Sequence, residues 1–140
     1  MLATQIVTDD VFIGGRSAEF IAINGSNGEV LWRFLSVNQD SEGKWFNFYN
    51  AQSVGDQDGD GLRDLLVANG GDVEVAPYDD NRPPGFLLIL SSKTGKIISK
   101  AALPDGRETY MSPVVLNGAT NSETEIVFGT GGETVGGNLY

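Results

Sequence analysis

Short apolar runs closed by paired glycines recur along the chain at similar intervals. They are Val11-Phe12-Ile13 before Gly14-Gly15, Leu65-Leu66-Val67-Ala68-Asn69 before Gly70-Gly71, and Ile126-Val127-Phe128 before Gly129-Thr130-Gly131-Gly132. The second glycines lie at 15, 71 and 132, so the intervals are 56 and 61 residues. Runs of this length are typical of β-strands, and their recurrence predicts repeated supersecondary units.

A second pattern accompanies the first and predicts β-hairpins. The segments 20–31 and 87–98 each contain an apolar run, a four-residue polar turn ending in Gly28 or Gly95, and a second apolar run. The glycine provides the positive φ angle that such a turn requires. A third pattern pairs Tyr49–Val54 with Tyr110–Val115, at the same 61-residue interval as the later Gly-Gly runs.

These patterns combine into a unit of four strands: a Tyr-led strand, a Gly-Gly strand and a hairpin pair. Repeated four-stranded antiparallel sheets are the blades of a β-propeller, so we predict an all-β propeller fold. Residues 45–103 form one complete predicted blade, 2–34 the end of the preceding blade, and 109–140 the start of the next.

The predicted blades are too few to close a ring. Propellers have ~4–8 blades, whereas the chain supplies about two and a half, so we expect the remaining blades in further sequence or in another chain. Closure by oligomerisation and an atypical sandwich are the alternatives.

The stretch between the Tyr-led and Gly-Gly strands of the complete blade is strongly acidic. In Asp56-Gln57-Asp58-Gly59-Asp60-Gly61-Leu62-Arg63-Asp64, carboxylates occupy loop positions 1, 3, 5 and 9, and glycines occupy positions 4 and 6. Alternate side chains of such a turn point toward one centre, and the backbone carbonyl of Leu62 at position 7 can join them. Oxygen ligands in this spacing favour Ca²⁺, although an acidic turn without an ion is the simpler alternative. The following run, Leu65–Ala68, is strand-like, which argues against an EF-hand.

Composition narrows the classes of function. The 140 residues carry a formal net charge of −10, which disfavours nucleic-acid binding. Histidine and cysteine are both absent, which excludes His-based catalytic triads, His-ligated zinc and disulfides. No apolar run approaches the ~20 residues of a membrane-spanning helix, so we expect no transmembrane segment.

Two family resemblances follow from these motifs. The segment Asp56-x-Asp58-x-Asp60-Gly61-x-x-Asp64-Leu65-Leu66-Val67 resembles the FG-GAP-type repeat of integrin α-chain propellers and many bacterial surface proteins. In that family the loop joins the first two strands of a blade and holds Ca²⁺. The resemblance implies side-chain ligands at Asp56, Asp58, Asp60 and Asp64 and a carbonyl ligand at Leu62.

The second resemblance concerns the hairpins. Residues 20–34, with Gly28 and Trp32, resemble the repeat of quinoprotein-dehydrogenase-like (PQQ-like) propellers. There a tryptophan four residues after the hairpin glycine docks one blade against the next, so we expect Trp32 to be buried near the Tyr49–Val54 strand. The second copy departs from this pattern, since Ser99 stands at the tryptophan position.

The acidic loop is expected to bind an ion only once. At the equivalent place of the third unit, residues 117–125 replace Asp56, Asp58, Asp60 and Asp64 with Asn117, Ala119, Asn121 and Glu125. We therefore predict a turn that has lost the ion.

These observations favour a non-catalytic, calcium-stabilised scaffold over an enzyme. The expected protein is exported or displayed at the cell surface, or is periplasmic, where millimolar Ca²⁺ is typical, and it binds a protein or glycan partner. The alternative is a fragment of a quinoprotein (PQQ-dependent) dehydrogenase. That enzyme requires a central cofactor site, whereas the aspartates of this chain are sequential and local.

Overall fold

The structure is a computed structural model, and it describes most of the chain in separate ranges. The described residues are 2–5, 11–14, 19–35, 47–70, 76, 79–81, 84–107, 109, 111–117, 124–131 and 139–140. Within these ranges the secondary structure consists of strands and turns. No helix there has the length and apolar character needed to cross a membrane. The predicted all-β class is therefore confirmed.

Ten strands lie in the described ranges. They are β1 (Leu2–Gln5), β2 (Val11–Gly14), β3 (Glu19–Ile23), β4 (Val30–Leu35), β5 (Asn47–Ser53), β6 (Leu65–Gly70), β7 (Phe86–Leu90), β8 (Ile97–Ala102), β9 (Val114–Asn117) and β10 (Thr124–Val127).

The strands form three antiparallel sheets in chain order. The first sheet has the order β1-β2-β3-β4, the middle sheet β5-β6-β7-β8, and the third sheet pairs β9 with β10. In the middle sheet, the strand that contains Tyr49 pairs with the Gly-Gly strand, which pairs in turn with the Gly95 hairpin. The four-strand order predicted from the sequence is thus the order observed.

Two details of the strands differ from the prediction. The first sheet has four strands, because β1 pairs with β2 from Leu2↔Gly14 to Gln5↔Val11. Strand β9 begins at Val114 rather than at Tyr110. Pro113, directly before it, has no N–H to donate to a strand ladder, so pairing starts after the proline.

The third sheet continues at the end of the chain. The backbone N–H groups of Phe128 and Tyr140 each donate to the carbonyl of the other, at 2.9 and 2.8 Å. Their rings stack with centroids 5.8 Å apart. Residues 139–140 therefore pair antiparallel with the chain that follows β10.

The hydrophobic core is divided by the middle sheet into two parts. The first core lies between the first and middle sheets and contains Phe20, Ala22, Phe34, Phe48, Ala51, Leu65, Val67, Phe86, Leu88 and Leu90. The second core contains Val54, Leu66, Ala68, Leu87 and Leu103, with Val115, Ile126 and Phe128 of the third sheet region packed against it. The middle sheet is consequently covered on both faces.

The apolar run in β6 reflects this double burial. Because successive side chains of a strand point to opposite faces, Leu65 and Val67 lie in the first core, whereas Leu66 and Ala68 lie in the second. A strand with one solvent-facing side would alternate apolar with polar residues, whereas all four residues here are buried.

Candidate metal centre

The acidic loop connects β5 to β6 at one end of the middle sheet. The two ends of the loop are joined by a hydrogen bond from the N–H of Val54 to the carbonyl of Asp64, at 2.8 Å. Gly59 and Gly61 both have positive φ angles, 79° and 87°. Residues with a Cβ rarely adopt this conformation, so the two glycines allow the chain to reverse within a few residues.

Three of the predicted ligands come together. Carboxylate oxygens of Asp56, Asp58 and Asp64 all lie within 4.8 Å of one another. Two oxygens that bind one Ca²⁺ at ~2.4 Å each can lie at most about 4.8 Å apart, so this set can share one ion. Asp56 and Asp58 are exposed and Asp64 is buried, which leaves the cluster open to solvent on one side.

Asp56 organises the turn through its carboxylate. It accepts hydrogen bonds from the backbone N–H groups of Gly59 at 2.6 Å, Gly61 at 2.9 Å and Asp60 at 3.2 Å. These N–H groups, with that of Gly61 the strongest influence, hold the pKa of the Asp56 carboxyl below its usual value. Asp56 is therefore ionised at neutral pH and fixed in place.

Asp64 is the buried member of the cluster. Burial raises the pKa of its carboxyl, and the negative charges of Asp58 and Asp60 add to the rise. Its carboxylate accepts hydrogen bonds from the N–H of Gln57 at 2.7 Å and of Ser92 at 3.2 Å, which oppose the rise. A buried carboxylate near other acidic groups is costly to ionise, and a divalent cation offsets that cost.

Asp60 is placed differently from the other three. It is not in the group of close carboxylates, and its Oδ1 accepts a hydrogen bond from the N–H of Leu62 at 2.8 Å. Its Oδ2 lies 3.9 Å from the Nζ of Lys93. The ligand roles predicted for Asp60 and for the Leu62 carbonyl stay predictions.

The hairpin turn between β7 and β8 completes the surroundings of the loop. This turn, residues 91–96, supplies the Ser92 N–H to Asp64 and the Lys93 ammonium to Asp60. Sequence reasoning missed both contacts. A backbone N–H has no side-chain signature, and Lys93 is 33 positions from its partner Asp60 in the sequence.

The same turn receives Trp32 from the first sheet. The indole Nε1–H donates to the carbonyl of Ser92 at 2.7 Å. The ring lies against Gly95, where a Cβ would be 2.5 Å from the Trp32 ring. Trp32 is partly buried rather than buried as expected, and it packs against the first core, which joins the first and middle sheets. Its indole N–H bonds to the turn at residues 91–95, and the core against which the ring packs includes Ala51 of the strand at residues 49–54.

The predicted loss of the ion site in the third unit lies mostly outside the described residues. Of the loop at 117–125, residues 118–123 are not described. Glu125, which stands at the position equivalent to Asp64, is exposed on β10.

Neither protein-family models nor the sequences of curated proteins match the chain.

The raised pKa of Asp64 predicts how pH affects stability without divalent cations. The ordinary pKa of 3.8 applies to the unfolded chain. Asp64 therefore binds its proton more tightly in the folded chain than in the unfolded chain. As pH falls through the pKa of the folded state, Asp64 becomes protonated, and the free-energy cost of keeping it ionised in the fold disappears. In chelator, the wild type should gain stability relative to Asp64→Asn as pH falls from neutral, levelling off below 3.8. Urea midpoints of both proteins across this range measure it, and a constant difference would contradict it.

Proposed function

We propose that this chain is part of a non-catalytic, calcium-stabilised β-propeller scaffold. The observation that carries the proposal is the convergence of Asp56, Asp58 and Asp64 within one nine-residue loop. All three come from the connection between the first two strands of a single sheet. An ion held there would fasten that connection, which is a structural role.

The electrostatics of the loop support a bound cation. Two exposed carboxylates and one buried carboxylate repel each other at separations below 4.8 Å. Backbone N–H groups neutralise part of that charge, but Asp58 accepts only one hydrogen bond in the described residues, from the N–H of Asp60 at 3.2 Å. Ca²⁺ suits the site better than Mg²⁺, which demands a smaller octahedron and retains its waters.

The way the sheets face each other supports a propeller. Phe20 and Ala22 of the first sheet lie in the core shared with the middle sheet. Leu87 and Ile89, each 67 positions later, contact the core shared with the third sheet. Equivalent positions therefore face the following sheet in both cases.

Side chains that face the preceding sheet also occupy equivalent positions in the middle and third sheets. Leu65 and Val67 of β6 contact the first core, and Ile126 and Phe128, each 61 positions later, contact the second core. Successive sheets related in one constant sense are what a ring of blades requires.

The two hairpin turns also agree in detail. The N–H of Gly28 donates to the carbonyl of Asn24 at 2.8 Å, and the N–H of Gly95 donates to that of Ser91 at 2.8 Å. Gly28 and Gly95 have φ angles of 77° and 70°. The same turn thus occurs twice, 67 residues apart, which supports a structural repeat.

The proposed setting is outside the cell or in the periplasm. Ca²⁺ sites of this kind fill where the free ion is in the millimolar range, at which weak sites of ~10⁻⁴–10⁻³ M bind usefully. A protein or glycan partner would bind the loops at the blade ends, because connecting loops carry the variable surface of such folds.

Calcium binding is the test of this proposal. Thermal unfolding of the chain is measured with Ca²⁺, with Mg²⁺ and with chelator, and Ca²⁺ binding is measured by calorimetry. At a hundredfold excess over Kd, Ca²⁺ should add about 2.7 kcal/mol to the free energy of unfolding. Mg²⁺ at equal concentration should add much less.

Two variants make the result specific to the loop. Asp58→Asn removes an exposed charge of the cluster and should abolish the Ca²⁺-dependent rise in Tm. Asp80→Asn removes an exposed charge elsewhere and should leave that rise intact. A wild type with no heat of binding and the same Tm in chelator would refute the ion site.

A further inference from the structure

Ser92 is held from two directions by two different sheets. Its N–H donates to Oδ1 of Asp64 at 3.2 Å, on the acidic loop of the middle sheet. Its carbonyl accepts from Nε1 of Trp32 at 2.7 Å, on the outer strand of the first sheet. The acidic loop and the tryptophan therefore meet at a single residue.

The turn that contains Ser92 has little freedom to adjust. The Ser91 N–H donates to the carbonyl of Lys96 at 2.9 Å, and the Gly95 N–H donates to the carbonyl of Ser91 at 2.8 Å. Ser91 and Gly95 are both buried. A displacement of Ser92 on the Asp64 side is consequently transmitted to the surface on which the Trp32 ring lies.

We infer that the contact Asp64–Ser92–Trp32 couples the acidic loop to the docking of the first sheet on the middle sheet. Asp64 acts as a positioning residue for the turn, and the turn positions Trp32. The calcium part of this inference rests on the proposed function: an ion that fixes the Asp64 carboxylate also holds the turn in the conformation that accepts the indole.

Coupling of this kind is reciprocal. If a bound ion favours the docked tryptophan, then the docked tryptophan favours ion binding by the same factor. Trp32 supplies no ligand to the acidic cluster. A change at Trp32 should nevertheless weaken the affinity for Ca²⁺.

The first experiment measures this effect on affinity. Trp32→Phe keeps an aromatic ring but removes the Nε1–H that reaches Ser92. Calorimetric titration with Ca²⁺ should show an affinity reduced by about fivefold or more, the lower range of typical couplings between sites. An affinity within twofold of the wild type would overturn the inference.

A matched control separates the Ser92 route from a general loss of packing. Phe34 lies in the same first core on the same strand as Trp32, and its aromatic contact is with Phe48. Phe34→Leu should leave the Ca²⁺ affinity within twofold of the wild type. An equal loss of affinity in Phe34→Leu would show that coupling does not run through Ser92.

A second experiment tests the contact without any ion. In chelator, unfolding midpoints are compared for the wild type, Asp64→Ala, Trp32→Phe and the double variant. Asp64→Ala removes the acceptor for Ser92, so Trp32→Phe should lower the midpoint less in the Asp64→Ala background than in the wild type. Additive effects would overturn the inference even if Ca²⁺ binds.

The two experiments also distinguish this inference from the proposed function. Absence of Ca²⁺ binding in the wild type refutes the ion site, whereas the ion-free cycle then still decides whether Asp64 and Trp32 are coupled. If Asp64→Ala fails to fold, the Ca²⁺ titration of Trp32→Phe and Phe34→Leu decides the matter alone.

Discussion

Replacing Gly95 with alanine is expected to lower the free energy of unfolding by about 2–5 kcal/mol, from left-handed backbone strain and from overpacking. Gly95 has a φ angle of 70°, a region that alanine adopts only with strain. The added Cβ would also lie 2.5 Å from Cε3 and 2.8 Å from Cδ2 of Trp32, so the indole would have to leave the turn. Urea denaturation followed by circular dichroism measures the loss.

Gly28 offers a control with the same backbone conformation. Its φ angle is 77°, and a Cβ built there meets no other atom within 4 Å. Gly28→Ala should therefore show only the left-handed strain of about 1–2 kcal/mol. In a Trp32→Ala background, the cost of Gly95→Ala should fall to that of Gly28→Ala. Equal costs at the two glycines in the wild-type background would mean that Trp32 does not rest on the turn.

Replacing Phe48 with alanine is expected to destabilise the protein by about 3–5 kcal/mol. Phe48 is 2% exposed and belongs to the middle sheet. Its ring contacts Phe20 at 5.8 Å and Phe34 at 5.2 Å between centroids, and both partners belong to the first sheet. The change leaves a cavity between two sheets whose backbones are held in separate ladders, so the site has little freedom to collapse.

Two further variants calibrate the Phe48 result. Phe48→Leu retains most of the volume and should cost less than about 1.5 kcal/mol. Leu31→Ala, on the exposed side of β4, should change stability by no more than about 0.5 kcal/mol. If Phe48→Ala and Leu31→Ala have similar effects on the denaturation midpoint, the first core does not join the two sheets.

The parts of the fold that could be predicted are those with local signals. The glycines at positions 28 and 95, between apolar runs, predicted two hairpins, and both have the positive φ that the turn needs. The apolar run Leu65–Ala68 predicted a strand, which is observed as β6, whereas the burial of both its faces emerges only from the structure.

Elements without such signals could not be predicted. Strand β1, with the sequence Leu-Ala-Thr-Gln, has no apolar–polar alternation and is followed by no Gly or Pro before β2, and it forms by pairing with β2. The pairing partner supplies what the local sequence lacks, since strand formation depends on context more than on propensity.

The candidate site likewise has a part with a local sequence signal and a part without one. The spacing of the aspartates predicted the cluster, and three of the four carboxylates meet. The fourth, Asp60, is drawn toward the Leu62 N–H and the Lys93 ammonium instead. Its alternative partners include a residue of the next hairpin, which no pattern within the loop could reveal.

The chain-order arrangement of strands has a consequence for the rate of folding. Within each sheet, every strand pairs with its neighbour in sequence, so the ladders form by closing shorter loops than contacts between sheets require. The contact between Trp32 and Ser92 instead spans 60 residues. Since long-range contacts are costly to form early, docking of the first sheet should follow the rate-limiting step, with a φ-value near zero for Trp32. Trp32→Ala would then accelerate unfolding and leave the refolding rate nearly unchanged, which the two arms of a chevron plot distinguish.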